Sequence, residues 1–377
     1  MEIFQNLTHY GFWFLLLITA LVFVHELGHF LVARWCGVRV EVFSIGFGKE
    51  LFGWNDKKGT RWRFSLLPLG GYVRMFGSED LALEGTPGQP LRKEDEAASF
   101  LHQSPAKRIA ISVAGPLANY IFAFVVLALL YSSFGKIYSS PVIGEVVEGS
   151  AAAAAGLQPN DKILSIDDQR IDRFEDVAAM IQLHLDEEAT FVIERNGDKL
   201  TIAVQPKVVE EKDIFGNLQR IGRLGVRSAG TGEIVRLPLL ESLKQAGTEI
   251  YQMTANILTG IGQILTGARS SDELGGILRI AKMSGDVATL GWISFVGLSV
   301  LLSVNLGLLN LFPIPMLDGG QIVLYTLEWV RGRPIGEQAQ EWGLRVGLAA
   351  LLGLMLFATW NDLVYLKVVD YFKTLFT

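Results

Sequence analysis

His25-Glu26-Leu27-Gly28-His29 reads H-E-x-x-H. On a helix, residues four apart share a face, so both imidazoles can reach one metal ion. Glu26 stands beside them and can take a proton from an attacking water. The chemistry this points to is zinc-assisted hydrolysis. A catalytic zinc usually has three protein ligands, so the chain must supply a third. His9, His102 and His184 fall outside the spans that can be predicted. The candidate is Asp318, in Asn310-Leu311-Phe312-Pro313-Ile314-Pro315-Met316-Leu317-Asp318-Gly319. Taken alone, Asp318 could equally cap the helix that follows.

The elements that must position these groups are membrane spans. Half of the 377 residues are hydrophobic and 19% carry charge, below the roughly one quarter usual in soluble domains. Such a chain needs a solvent other than water. Four stretches approach the about 20 apolar residues that cross a bilayer as helix: 10–33, 109–131, 292–312 and the shorter 346–360. The first holds the H-E-x-x-H, and ionisable groups inside a span are costly enough to mark function. At about 1.5 Å per residue, His25 lies about 22 Å into that span, past its midplane. The run is too long for a signal peptide, and no Lys or Arg precedes it.

Arg34, Arg39, Lys49, Lys57, Lys58, Arg61, Arg63, Lys107 and Arg108 lie between the first two spans, and Arg331 and Arg333 follow the third. The positive-inside rule puts these in the cytoplasm. Both termini and the long insert between spans two and three then lie outside it. Asp318, just after the third span, shares the depth of His25 and His29, which favours it as the third ligand. A net charge of −6 gives no reason to expect nucleic acid, and a lone Cys36 excludes an intrachain disulfide.

The chain divides into a membrane region (1–135), an α/β insert (136–207), a segment with an amphipathic helix (208–285) and a second membrane region (286–377). In the insert, Val142, Ile143, Val146 and Val147 predict a strand. Ala151 to Ala155 predicts a short helix with Ser150 as N-cap and Gly156 as C-cap. Ile163, Leu164 and Ile166 predict a strand ending in a turn at Asp167-Asp168, and 174–185 a helix. Asn196-Gly197 predicts a type I′ hairpin. The run from Gly156 to Ile166 resembles a PDZ domain of the bacterial protease-associated type. Asn160 and Asp168 stand where such domains usually have Gly; both types tolerate positive φ. A helix over 240–265 could lie on the outer membrane surface or pack on the insert.

Taken together, the first-span H-E-x-x-H and the later Asn310-x-x-Pro313-x-x-x-Leu317-Asp318-Gly319 resemble the site-2 protease family. The single insert resembles its bacterial branch, which cleaves anti-sigma factors. Gly46-Phe47-Gly48, Gly70-Gly71-Tyr72 and Ala114-Gly115-Pro116-Leu117-Ala118-Asn119 belong to the same resemblance; Gly276-Ile277-Leu278 departs from a usual Gly-Pro-Ile. The resemblance implies a polytopic α-helical protein of the bacterial inner membrane. Zn²⁺ would be held by His25, His29 and Asp318, with Glu26 as the base. It also implies a single-span membrane protein as substrate, lipid around the spans, and an Asn310 that contacts the substrate or steadies the site.

A helical substrate must unwind before its carbonyls are accessible. Alternation over 40–47 and 61–76 predicts strands in the cytoplasmic loop, with Gly70-Gly71 bending the second. Gly70, Gly71 and Tyr72 are candidate substrate contacts on an open sheet edge, although the sheet could equally serve only to plug the cavity. A membrane-tethered peptidase for soluble peptides would carry its motif in a soluble domain. A silent PDZ scaffold would lack Glu26 or Asp318.

Overall fold

The computed structural model describes residues 2–78, 93–182, 184–185, 187–212, 218–230, 233–271, 275–333 and 335–366. The C-terminal stretch 367–377 and Leu183 of the expected 174–185 helix lie outside these. The apolar runs form the expected helices. α1 (Glu2–Trp35) leads to a hairpin of β1 (Val40–Asn55) and β2 (Arg61–Met75), then a turn of helix, α2 (Lys93–Glu96), and the long α3 (Pro105–Ser133).

The hairpin is bent back on itself. Residues 42–45 pair on one side with 71–74 and on the other with 61–64, while 50–55 pair with 61–65. Gly46 and Gly48, at φ +89° and +87°, make the bend, because only glycine adopts such angles without strain. The sequence predicts a strand only to residue 47. The continuation to Asn55 is held by aromatic stacking, Phe52 on Phe64 at 4.7 Å and Trp54 on Trp62 at 5.9 Å. Gly70-Gly71 bends β2 without ending it. Leu51, Phe52, Trp54, Leu66, Leu67 and Leu69 are exposed, a continuous apolar surface unusual beside water.

The insert begins with β3 (Lys136–Tyr138), β4 (Ile143–Val146), α4 (Ala151–Ala155), β5 (Lys162–Ile166), β6 (Gln169–Arg170) and α5 (Phe174–Ile181). It continues with β7 (Ala189–Arg195), β8 (Asp198–Val204), β9 (Lys207–Lys212), β10 (Leu218–Arg223), β11 (Val226–Ser228) and β12 (Glu233–Val235). A four-stranded sheet, ordered β6-β5-β7-β8, closes over Ile143, Ile163, Ile166, Val177, Phe191 and Ile193. Local chemistry sets its turns. Ser150 Oγ accepts from the Ala153 N–H, and Gly156 ends α4 at φ +80°. Asn196 and Gly197 take φ +54° and +93° between β7 and β8.

Two readings need correction. α5 stops at Ile181 rather than 185: the His184 ring donates from Nδ1 to the Met180 carbonyl at 2.9 Å, and the Gln182 carbonyl accepts from the Gly222 N–H. Nor does the folded insert stop at 207. Leu224 belongs to its core, β11 pairs with β4, and Lys136 pairs with Val235 across β3 and β12.

α6 (Leu239–Leu265) falls in the same compact unit, 127–274, as the insert. Its Glu249 pairs with Lys136 and lies 3.8 Å from Arg173. Burial pulls the Lys136 ammonium below its ordinary range, against the opposing pull of Glu249.

α7 (Ile277–Thr289), α8 (Trp292–Asn310), α9 (Asp318–Arg331) and α10 (Glu337–Tyr365) complete the other unit, 1–126 with 275–377. Four helices are long and apolar enough to cross a membrane: Thr8–Trp35, Pro105–Ser133, Trp292–Asn310 and Gln340–Tyr365. The fourth starts at Gln340, before its apolar core at 346, and runs on to Tyr365. Fully buried Asp362 accepts from the backbone N–H groups of Gly276 and Arg279, at 2.8 and 3.0 Å. This anchors the start of α7 to α10 where the family pattern departs.

Candidate metal centre

His25 and His29 lie one above the other on α1, and both are buried. Two loop features bring Asp318 to them. Asn310 ends α8, and the segment 311–317 turns tightly, with Met316 at φ +84°. Gly319 and Gly320 then let α9 start against that loop. A Cβ on Gly319 would lie 2.2 Å from the Phe312 carbonyl oxygen, and one on Gly320 2.3 Å from that of Ile314. Asp318, the first residue of α9, is thereby pressed to the depth of the H-E-x-x-H.

Asp318 Oδ2 is 3.1 Å from His25 Nε2, and Oδ1 is 3.4 Å from His29 Nε2. The two Nε2 atoms are 3.2 Å apart. Three donors at zinc–ligand distances of about 2.0–2.1 Å in a tetrahedron are separated by about 3.3–3.4 Å. Two imidazoles and a carboxylate with these separations fit a zinc ion with one position left open. Among the described residues, this is the His/Cys/Asp/Glu group that could hold a metal.

α3 supplies the wall behind the site. A Cβ on Gly28 would meet the Ala114 carbonyl oxygen at 2.2 Å, and one on Gly115 would meet His29 Nε2 at 2.2 Å. Ala114, Gly115 and Ala118 thus let α3 approach α1 closely. His29 Nδ1 donates to the Ile111 carbonyl at 2.8 Å. Asn119, fully buried, places its side chain 3.2 Å from His25 Nδ1. Gly307 of α8 packs on Pro116 and Tyr120, and Ser303 Oγ donates to the Asn119 backbone carbonyl at 3.0 Å.

β2 runs past the base. The Val73 N–H donates to the Glu26 carboxylate. A Cβ on Gly71 would lie 3.5 Å from Glu26 Cγ and 2.6 Å from the Ser44 carbonyl oxygen. A cavity of about 540 Å³ opens here, lined by the three candidate ligands, Glu26, Tyr72 and Asn310 among others. Asn310 spends one amide hydrogen on the Leu306 carbonyl. Gly70, at φ +135°, lies against the Phe47 ring at the bend of β2, and neither it nor Gly71 is part of this lining. Sequence reasoning gave no role to Ile111, Gly115 or Asn119; the usable signal was the cluster of small residues, 114–119, in an otherwise bulky apolar span.

The fold and site define a multi-pass membrane protein built around a metallopeptidase centre. The chain belongs to peptidase family M50, whose model matches residues 13–354. It is 43% identical over 363 residues to "Putative zinc metalloprotease Atu1380" of Agrobacterium fabrum, covering 95% of this chain and 96% of that one. It is 39% identical over 387 residues to metalloprotease MmpA of Caulobacter vibrioides, covering 96% and 97% respectively. It is 40% identical over 348 residues to "Putative zinc metalloprotease Cj1068" of Campylobacter jejuni, covering 92% of this chain and 91% of that one. The chain is accordingly a zinc-dependent protease.

Proposed function

We propose that this protease cleaves the transmembrane segments of single-pass membrane proteins, of the anti-sigma-factor type, within the bacterial inner membrane. The observation carrying this reading is the placement of His25, Glu26 and His29 inside the apolar helix Thr8–Trp35, facing Asp318.

In this reading His25, His29 and Asp318 hold the zinc, which when bound polarises the scissile carbonyl and lowers the pKa of water. Glu26, oriented by the Val73 N–H, accepts the proton of the attacking water and returns it to the leaving amine. Among the described residues, the segment 71–75 pairs in a ladder with β1 alone. Its other side, where the Val73 N–H meets Glu26, is the edge on which an unwound substrate would be added as a strand. Tyr72 and Asn310 line the cavity beside it, which supports them, with the neighbouring Gly71, as substrate contacts.

The insert, read as PDZ-like and extracytoplasmic from the charge distribution of the loops, acts on access rather than chemistry. Size exclusion is the preferred role: the transmembrane segment must reach the zinc and can supply its own affinity, so a folded ectodomain need only be kept away. The pairing of Lys136 with Val235 makes residues 136–235 removable with a short linker.

The experiment is cleavage of one single-span substrate, with and without its folded ectodomain, by the intact protease and by the deletion form in liposomes. The intact enzyme should cut only the trimmed substrate, and the deletion form should cut both. Slower cutting of the trimmed substrate by the deletion form would favour recruitment. Failure of the intact enzyme to cut any single-span substrate would overturn the intramembrane reading.

A further inference from the structure

An imidazole that binds metal through Nε2 must carry its hydrogen on Nδ1, and that hydrogen needs an acceptor. His29 has one in the Ile111 carbonyl. Two turns further along the same helix, the group facing His25 Nδ1 is the Asn119 side chain, at 3.2 Å through Nδ2. An N–H₂ there suits only the tautomer with its hydrogen on Nε2, pointing at Asp318 3.1 Å away. That tautomer has no lone pair for a metal. Meanwhile Asn119 Oδ1 is buried and has no hydrogen-bond partner among the described residues, an expensive state for a carbonyl oxygen.

Both problems have one solution. The two ends of a carboxamide exchange places by a half-turn. With the half-turn, Oδ1 accepts from His25 Nδ1–H and Nε2 is left free to bind metal. Asn119 is suited to hold this arrangement. It is fully buried, and its backbone is fixed to α8 through Ser303 Oγ.

We propose that Asn119 is a positioning residue of the zinc centre, its side-chain oxygen accepting from His25 Nδ1–H in the metal-loaded protein. α3 then sets the tautomer of both imidazoles, by a backbone carbonyl for His29 and a side chain for His25. This rests on the reading of His25 as a zinc ligand.

The test uses the full-length protein in detergent micelles. Zinc affinity is measured by competition with a chromogenic chelator, and the visible absorption of Co²⁺ in the site reports ligand geometry. Asn119→Leu, which keeps the volume and removes the acceptor, should bind zinc about 10–100-fold more weakly and shift the cobalt bands. Asn119→Asp, which can only accept, should stay within about threefold of the parent and keep its bands. Asn119→Ala replaces the leucine variant if that fails to fold, with the same expected loss.

A merely structural role predicts the opposite order, because a buried carboxylate should disturb packing more than leucine does. Parent-like affinity in Asn119→Leu, or a loss in Asn119→Asp equal to that in Asn119→Leu, overturns the proposal. His25→Ala separates the two levels. Undiminished zinc binding in that variant refutes the ligand reading itself, whereas loss there with retention in Asn119→Leu refutes only the positioning role.

Discussion

The α/β insert and the helical unit both bury apolar side chains, but they differ in the polar groups buried with them. The insert's Asp161 is tied to Arg195, whereas those of the helical unit lie at the candidate metal centre and at helix joints. In the insert, Ile143, Ile163, Ile166, Phe191 and Ile193 are fully buried, and charged groups such as Arg170 and Asp172 stand outside. In the helical unit, His25, His29, Asn119, Ser303 and Asp362 are inside. Leu117, Ile121, Val125 and Leu129, spaced by four along α3, are exposed. Water drives apolar side chains together in the insert. Lipid exerts no such force between helices, so close backbone contact and hydrogen bonds hold the other unit. Buried residues of the insert therefore carry stability, while the buried polar residues of the helical unit either join its helices, as Ser303 and Asp362 do, or form the candidate metal centre, as His25 and His29 do.

The sharpest way to break that contrast is Glu26→Gln. Removing a general base typically costs about 10²–10⁴-fold, so cleavage of a co-expressed single-span protein should fall at least that far while zinc content, measured by metal analysis, stays at the parent level. Asp318→Ala should also be inactive but should lose zinc, because two imidazoles alone make an incomplete site. Activity near the parent's in either variant would remove the chemical half of the contrast.

Gly115→Ala comes next. A Cβ there would lie 2.2 Å from His29 Nε2, so the imidazole must move or α3 must retreat. A second-sphere disturbance of this kind should weaken zinc retention by about 10–100-fold, read by chelator competition. The corresponding change at an apolar buried site should leave zinc untouched. Ile163→Ala in the insert should lower its stability by about 2–5 kcal/mol, measured by denaturant unfolding, with zinc content unchanged. Metal loss in Ile163→Ala would show that the two units do not divide the work in this way.

The smallest effect lies in the turn between β1 and β2. Burial pushes the Asp56 carboxyl up, but donors from Trp62, Lys58, Arg34 and Thr60 outweigh it and hold the pKa below the ordinary 3.8. The unfolded turn therefore binds its proton first as pH falls. The stabilisation is complete above the ordinary value and is lost as pH drops through the lower, folded one. Limited proteolysis near 56–60 should increase only in that acid window, and Asp56→Asn should remove the pH dependence.

Legibility followed the range of the forces involved. H-E-x-x-H could be read because i and i+4 on a helix are neighbours whatever surrounds them. The Ser150 and Gly156 caps and the Asn196-Gly197 turn were equally local. The extension of β1 to Asn55 was hidden, since Gly48-Lys49-Glu50 looks like a loop until its partner at 61–65 is known. The end of α5 depends on Gly222, far along the chain. Asn119 shows the limit most clearly. It was visible as part of a motif, but its target His25 is 94 residues away, and nothing local announces that pairing. Asp318 was read across an even longer separation only because membrane depth supplied a coordinate that soluble chains lack.

The near-contact at Gly28 bears on traffic. With backbone and backbone separated there by less than a side chain's width, the seam between α1 and α3 is shut to any polypeptide. Tyr72, Val73, Met316 and Leu324 line the cavity, and under the proposed function the substrate would come in past these rather than through that seam. Tyr72 and Val73 belong to a strand and Leu324 to a helix, so a helical substrate of the proposed kind would have to give up its own coil to lie between them. Under the proposed function the closed seam would make entry directional, and a chain that resists unwinding would be turned away at the doorway rather than at the chemistry.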